Sequence, residues 1–461
     1  MKFTALGGGI PLGGSHHILN LEEGRRVAFD CGAIQSQGGK ISAPPIAEGN
    51  IDALFATHGH FDHVGMLPLF GKTHPETPIY GTEVTRRFAS MLLGDSLKIT
   101  RKKIEAGEKN AQAYFNIADA IRVLTRHERY KQVLRPEWFE LKPGWKIRFW
   151  PAGHINGAAS IQIITPKGLK VMHSGDISFN DMPTIKGTDI ARDFRPDVLI
   201  TEATYGDRDL PNRAAEEQRF VNRVIEVLRR GGQVLIPAFG ITGPNIAITL
   251  ARGLTAAGID TPIHIDGMIR KAARIIYGSS EWNAENKSVP FPDNIICMPD
   301  GREGYIHRQR LLSGPAVILA SHGMLEGGKI MEYLPTVLSN PLGAILIPGY
   351  QADGTGGRKL LELERGANFL IPGFGQRKGE VVPIYCDVER FYLSSHASGP
   401  ELANWIEELD PKVLIVVHAT AEGFAGLKRR FQERAKRPLM IIPAFNGEEI
   451  SIDECLARRR V

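Results

Sequence analysis

His58-Gly59-His60-Phe61-Asp62-His63 follows directly on the apolar run Ile51-Asp52-Ala53-Leu54-Phe55-Ala56. Three imidazoles and a carboxylate within six residues form a donor set suited to a borderline divalent ion such as zinc. One short loop cannot aim all four side chains at a single ion, so the segment implies two. In an extended stretch, side chains two apart face the same way. His58 and His60 then clasp one ion, while Asp62 and His63 turn toward its neighbour. A polar turn with satisfied histidines would leave this density of ligands unexplained.

Two ions need further donors, and candidates stand at the ends of expected strands. His154 follows the Trp- and Ile-rich strand from Trp145 to Pro151 and would complete the first ion. Asp176, in His173-Ser174-Gly175-Asp176-Ile177, has two oxygens with which to bridge both ions. His418 ends Val413-Leu414-Ile415-Val416-Val417 and would serve the second. Asp30, after Val27-Ala28-Phe29, need not touch metal, because a ligand imidazole generally gives its other N–H to a carboxylate behind it.

The remaining chain bounds the reading. With 461 residues, 43% of them hydrophobic, two domains with sizeable cores are expected. The longest apolar runs are strand-length, so no membrane partner is expected, and the amino terminus lacks the apolar core of a secretory signal. The four cysteines, Cys31, Cys297, Cys386 and Cys455, form no Cys-x-x-Cys pair, which fits a reducing, cytoplasmic setting. A formal charge of +5 permits a polyanionic partner without demanding one. Residues 1–205 read as short strands of packed sheets, interrupted from Glu83 to Arg126 by a charged, surface-lying helical excursion. Residues 206–380 alternate helix and strand, the pattern of a parallel sheet flanked by helices. Strands of the first style return over 381–461.

These residues resemble the metallo-β-lactamase superfamily, and within it the β-CASP RNA-processing nucleases of the cleavage-and-polyadenylation endonuclease and ribonuclease J kind. The superfamily signature, an Asp after an early strand, then His-x-His-x-Asp-His, then single His and Asp ligands, is matched by Asp30, His58 to His63, His154 and Asp176. The group's further acidic residue, Ser-x-His and terminal His correspond to Glu202, His396 and His418. The resemblance implies an α/β fold: an αββα sandwich built from 1–205 and 381–461, with 206–380 inserted as a parallel α/β β-CASP cap. It implies two Zn2+, a single-stranded RNA substrate, and cleavage by a metal-bridging hydroxide that leaves 5′-phosphate and 3′-hydroxyl ends. Asp62, Glu202 and His396 become the catalytic residues, with His396 donating a proton to the departing oxygen and Glu202 holding it. A homodimer would suit the family. A catalytically silent RNA-processing subunit, or a DNA or small-phosphodiester hydrolase on the same fold, are the alternatives.

The chain also departs from the pattern. His418-Ala419-Thr420 stands where the family commonly has His-Gly-Glu, and Gly240 to Asn245 lacks the usual Arg and Gln-Glu pair. His322 and the pair His16-His17 are extra imidazoles, read as packed or solvated rather than as ligands. Arg358, after Gly354-Thr355-Gly356-Gly357, and Ser395, beside His396, are the candidate substrate contacts.

Overall fold

Strand Arg26–Phe29 shows how the core is made: Val27 and Phe29 turn to one face, Ala28 to the other, and all three are buried. The same alternation places Phe3, Ala5, Leu19, Ala53 and Phe55 in one apolar cluster, and Ile18 and Leu54 in another. The computed structural model describes residues 1–36, 40–108, 111–189, 193–279, 290–373, 379–434 and 439–458. Among these the chain forms two compact units, one of Met1–Asp181, Ile185–Asp209 and Ser395–Val461, the other of Met182–Thr184 and Leu210–Ser394.

Among the described residues the first unit holds two seven-stranded sheets. One runs in the order Glu449–Ser451, Lys2–Gly7, His16–Asn20, Arg26–Phe29, Ala53–Phe55, Ile79–Gly81, Tyr130–Gln132. The other runs Met440–Pro443, Val413–Val417, Val198–Glu202, Lys170–His173, Ala159–Ile164, Trp145–Pro151, Trp138–Lys142. Phe29 and Phe55 of the first share a cluster with Phe149, Ile161, Val198 and Ile415 of the second, so the sheets pack face to face. The Phe55 and Phe149 rings meet edge to face, 6.0 Å apart. Burying each such side chain contributes about 1.5–3 kcal/mol.

The outer face of the first sheet packs on helices. Ala89 and Leu93 of Glu83–Glu105, and Val123 and Leu124 of Ile117–Thr125, bury against Ile18, Leu54 and Ile79. The stretch expected as a surface excursion is therefore a covering layer, with Lys98, Arg101 and Lys102 exposed on it while Glu83 and Asp119 are buried. Helices Gly399–Leu409 and Ala421–Arg434 pack on one another and complete an αββα sandwich.

The second unit is a parallel sheet in the order Ile295–Cys297, Ile263–Asp266, Ala316–Ala320, Gln233–Pro237, Ala344–Ile347, Asp387–Arg390. Val234 and Ile236 face helices Arg213–Arg229 and Gly243–Ala256, whereas Leu235 faces Leu334–Leu338 and Leu360. Its end differs from the expected boundary at 381. Asp387–Arg390 pairs in register with Ala344–Ile347, and Asp387 accepts from Arg223 and Arg230, so the chain returns to the first unit only at Ser395. Among the described residues no helix is long and apolar enough to cross a membrane.

Candidate metal centre

Strands Trp145–Pro151, Lys170–His173, Val198–Glu202 and Val413–Val417 run in one direction, so their carboxyl ends share an edge of the first unit. His154, Asp176, Glu202 and His418 all stand at that edge. Ala53–Phe55, parallel to Arg26–Phe29, delivers the histidine-rich segment from the facing sheet. The segment changes conformation midway. His58 to His60 is extended, with His60 at φ −71° and ψ 152°, and Phe61–Val64 makes one helical turn that re-aims Asp62 and His63. Gly59 is required between the ligands, since a Cβ there would come within 2.6 Å of Phe88.

Among the described residues, two donor groups draw on this segment, and a third joins Asp176 to Glu202 and His396. His58, His60, His154 and Asp176 form the first, and Asp62, His63 and His418 the second, each with donor atoms all within 4.8 Å of one another. In the first, His58 Nε2 and His60 Nδ1 are 3.2 Å apart, His60 Nδ1 and His154 Nε2 3.0 Å. Asp176 Oδ2 lies 3.5 Å from His58 Nε2 and 3.6 Å from His154 Nε2. Donors set tetrahedrally at zinc–nitrogen distance from one ion would be about 3.3 Å apart, so the residues fit. In the second, Asp62 Oδ2 is 3.4 Å from His418 Nε2 and 3.9 Å from His63 Nε2, and Asp176 Oδ2 is 3.4 Å from His63 Nε2. Asp176 thus faces both groups. His63 Nε2 and Asp176 Oδ1 are buried with no hydrogen-bond partner, which is the condition expected of atoms meant for a cation.

The electrostatics point the same way. Burial and crowding by other imidazoles push His58 and His154 well below the usual histidine range and His60 to about 4, leaving bare lone pairs. His63 and His418 are buried too, yet the Asp176 and Asp62 carboxylates draw both upward. Such a position favours positive charge, and a divalent ion would displace those protons.

Asp30 lies behind His63. Its Oδ2 takes His63 Nδ1–H at 2.8 Å and Thr57 Oγ1–H at 2.7 Å, and its Oδ1 takes Thr57 N–H at 2.7 Å. The fixed Nδ1 proton presents Nε2 to the site as a lone pair. His154 is held likewise, its Nδ1 2.6 Å from the Ser395 carbonyl. His396 Nδ1 lies 3.0 and 2.9 Å from the two Glu202 oxygens, and Glu202 Oε1 also takes Ile177 N–H at 2.8 Å. Although burial opposes it, the Glu202 carboxylate raises His396 to about 9.

The chain matches the metallo-beta-lactamase superfamily over residues 18–198, the Beta-Casp domain over 246–360, and the Zn-dependent metallo-hydrolase RNA specificity domain over 381–443. The chain belongs to the β-CASP group of the metallo-β-lactamase superfamily. It is 28% identical over 398 residues to the Probable RNase MJ4 of Methanocaldococcus jannaschii, covering 85% of this chain and 87% of that one. It is 28% identical over 478 residues to Ribonuclease TTHA0252 of Thermus thermophilus, covering 98% of each. To the cleavage and polyadenylation specificity factor subunit 3 of Dictyostelium discoideum it is 27% identical, covering 96% of this chain and 56% of the relative. A crystal structure of a protein of unknown function from Enterococcus faecalis V583 shares the fold, with TM-score 0.57 and 13% identity over 97% of this chain and 99% of that one. The β-CASP chain is accordingly a metal-dependent hydrolase.

Several groups in this β-CASP site had no assigned role in the sequence. Thr57 anchors Asp30 and also lies 3.0 Å from His58 Nδ1; its place next to His58 was the available signal. Thr204 Oγ1 is 3.1 Å from His418 Nδ1, an oxygen contact beside a motif that lacks its usual Glu. Ser395 enters through its carbonyl on His154. Arg358 belongs to the second unit, where its Nε donates to Glu362 at 2.6 Å. His16 and His17 are fully packed, His16 with Nδ1 2.7 Å from the Asp30 carbonyl.

Proposed function

We propose that this protein is a zinc-dependent ribonuclease that hydrolyses phosphodiester bonds of single-stranded RNA, leaving 5′-phosphate and 3′-hydroxyl ends. One observation carries the reading: donors from separate strand ends converge at spacings suited to a pair of ions, with His63 Nε2 and Asp176 Oδ1 buried and without a hydrogen bond. His58, His60, His154 and Asp176 would hold one zinc, and Asp62, His63 and His418, with Asp176, the other. When bound, the ions supply water acidified toward neutral pH and offset charge on the phosphate.

The chain's own groups do the rest. Asp30 keeps the His63 proton on Nδ1, and the Ser395 carbonyl does the same for His154, so both rings enter with a lone pair toward the site. Glu202 holds His396 at Nδ1, so the proton for the departing 3′-oxygen would come from Nε2. RNA as substrate is supported by the relatives named ribonucleases and by the RNA specificity domain match. A silent subunit would be expected to lack donors, and the gathering of His58, His60, His154 and Asp176, and of Asp62, His63 and His418, speaks against it. The same reading calls for a cytoplasmic setting and extends, by family likeness, to a homodimer that sedimentation would reveal as twice the chain mass.

End-labelled single-stranded RNA incubated with zinc-loaded protein tests this. Cleavage should stop with chelator, return with zinc, and be absent from Asp62→Ala/His63→Ala. Intact RNA in the presence of zinc, or equal cleavage by the double variant, overturns the reading.

A further inference from the structure

Behind the metal-ligating edge lie two imidazoles to which the chemistry above gives no role. His17, in strand His16–Asn20, and His173, closing strand Lys170–His173, belong to different sheets and are separated by 156 residues. His173 Nε2 nevertheless lies 2.9 Å from His17 Nδ1. Gly175 N–H donates to His173 Nδ1 at 3.1 Å, and His17 Nε2 is 3.2 Å from the Gly8 carbonyl. A peptide N–H can only donate and a carbonyl can only accept, so the direction of the whole chain is determined. Each ring is neutral and carries its proton on Nε2. Phe29 stacks on His173 at 4.4 Å and Phe3 lies 5.6 Å from His17, which keeps the rings from turning.

Both ends of this chain of bonds reach ligand backbone. Gly175, at φ 58°, directly precedes Asp176, and the Gly8 carbonyl also accepts the His418 N–H at 2.8 Å. We propose that His17 and His173 form a positioning relay that holds the Asp176 and His418 backbones in fixed relation and so sets zinc affinity at the second donor group. The inference rests on the zinc reading of the site. An ordinary core pair would contribute to stability alone; a relay must also show in the metal affinity of the folded protein.

His17→Gln keeps one acceptor and one donor in the ring's place, whereas His17→Met fills similar volume with no donor and only a weakly accepting sulfur. Metal-stripped protein of each kind is titrated with zinc against a fluorescent chelator, and its thermal unfolding is recorded separately. The Met variant should lose about tenfold or more in affinity for one of two zinc equivalents, and the Gln variant should stay within about threefold of the unaltered protein. Unaltered affinity in a folded Met variant overturns the relay while leaving the zinc reading intact. Failure of the unaltered protein to take up zinc overturns both. If the Met variant does not fold, ring 15N shifts of the stripped unaltered protein decide, assigned through His17→Gln and His173→Gln. Both rings in the Nε2–H form support the relay, and any other form at either ring overturns it.

Discussion

Asp30→Asn separates the electrostatic work of one buried carboxylate from its backbone geometry. Asp30 sits at φ 56°, in the left-handed region that Asn tolerates nearly as well as Asp, so the substitution leaves the turn undisturbed. Three donors converge on the carboxylate: Thr57 N–H, Thr57 Oγ1–H and His63 Nδ1–H. An amide offers one oxygen. If that oxygen keeps Thr57 N–H, the NH2 group stands where Oδ2 met His63 Nδ1, and two donors face each other. The conflict is relieved by moving the imidazole proton to Nε2, the nitrogen that lies toward Asp62 and Asp176 and cannot ligate while it carries a proton.

The size of the effect follows from that exchange. Losing one charge-assisted hydrogen bond costs about 1.5–3 kcal/mol. Removing the partner behind a metal-ligating imidazole typically weakens metal binding about 10–100-fold, or roughly 1.4–2.7 kcal/mol, so the two routes agree. Zinc affinity measured by chelator competition should fall by that factor in Asp30→Asn. Asp30→Ala should lose affinity comparably, and its stripped form should unfold more easily than stripped Asp30→Asn by about 1–2 kcal/mol, the cost of left-handed backbone without a short polar side chain. Zinc affinity of Asp30→Asn within about threefold of the unaltered protein would refute the reasoning, since the expected loss has tenfold as its lower bound.

Two other perturbations probe different layers of the fold. Glu202→Gln keeps an oxygen for Ile177 N–H but presents NH2 to His396, so turnover on RNA should fall by about a hundredfold or more while bound zinc, measured by atomic emission, is unchanged; a change in KM alone would speak against proton donation. Phe149→Ala empties a fully buried position between the two sheets and should lower unfolding free energy in urea by about 3–5 kcal/mol. A loss under about 1 kcal/mol there would mean that the sheets do not share a core.

His58 to His63 was legible because its donors are neighbours in the chain, and local density needs no knowledge of the fold. Asp30, His154, Asp176 and His418 are single residues after strands, and nothing in their spacing along the chain brings them together. Their convergence comes from the common direction of four strands in one sheet and from the facing of a second sheet, both long-range properties. The RNA specificity domain match begins at 381, whereas the second compact unit runs on to Ser394, for a related reason. Asp387–Arg390 reads as a strand in either domain, and only its register with Ala344–Ile347 and the charges of Arg223 and Arg230 assign it to the second unit.

The unexplained histidines show the same limit from the other side. His17 and His173 occupy ordinary inward-facing strand positions, and by burial alone each would be a packed imidazole. What distinguishes them is that every ring nitrogen is engaged in one direction, ending on the peptide groups that carry Asp176 and His418. His418 itself stands at φ 44°, a conformation costly for a residue with a Cβ, and it persists because its surroundings over-determine it. Its N–H is tied to Gly8 and its ring contacts Thr204 and Asp62. Imidazole lone pairs and carboxylates held this close together need such constraints from the backbone. The chain supplies them at both left-handed strand ends, Asp30 and His418, through groups that a scan for metal ligands passes over.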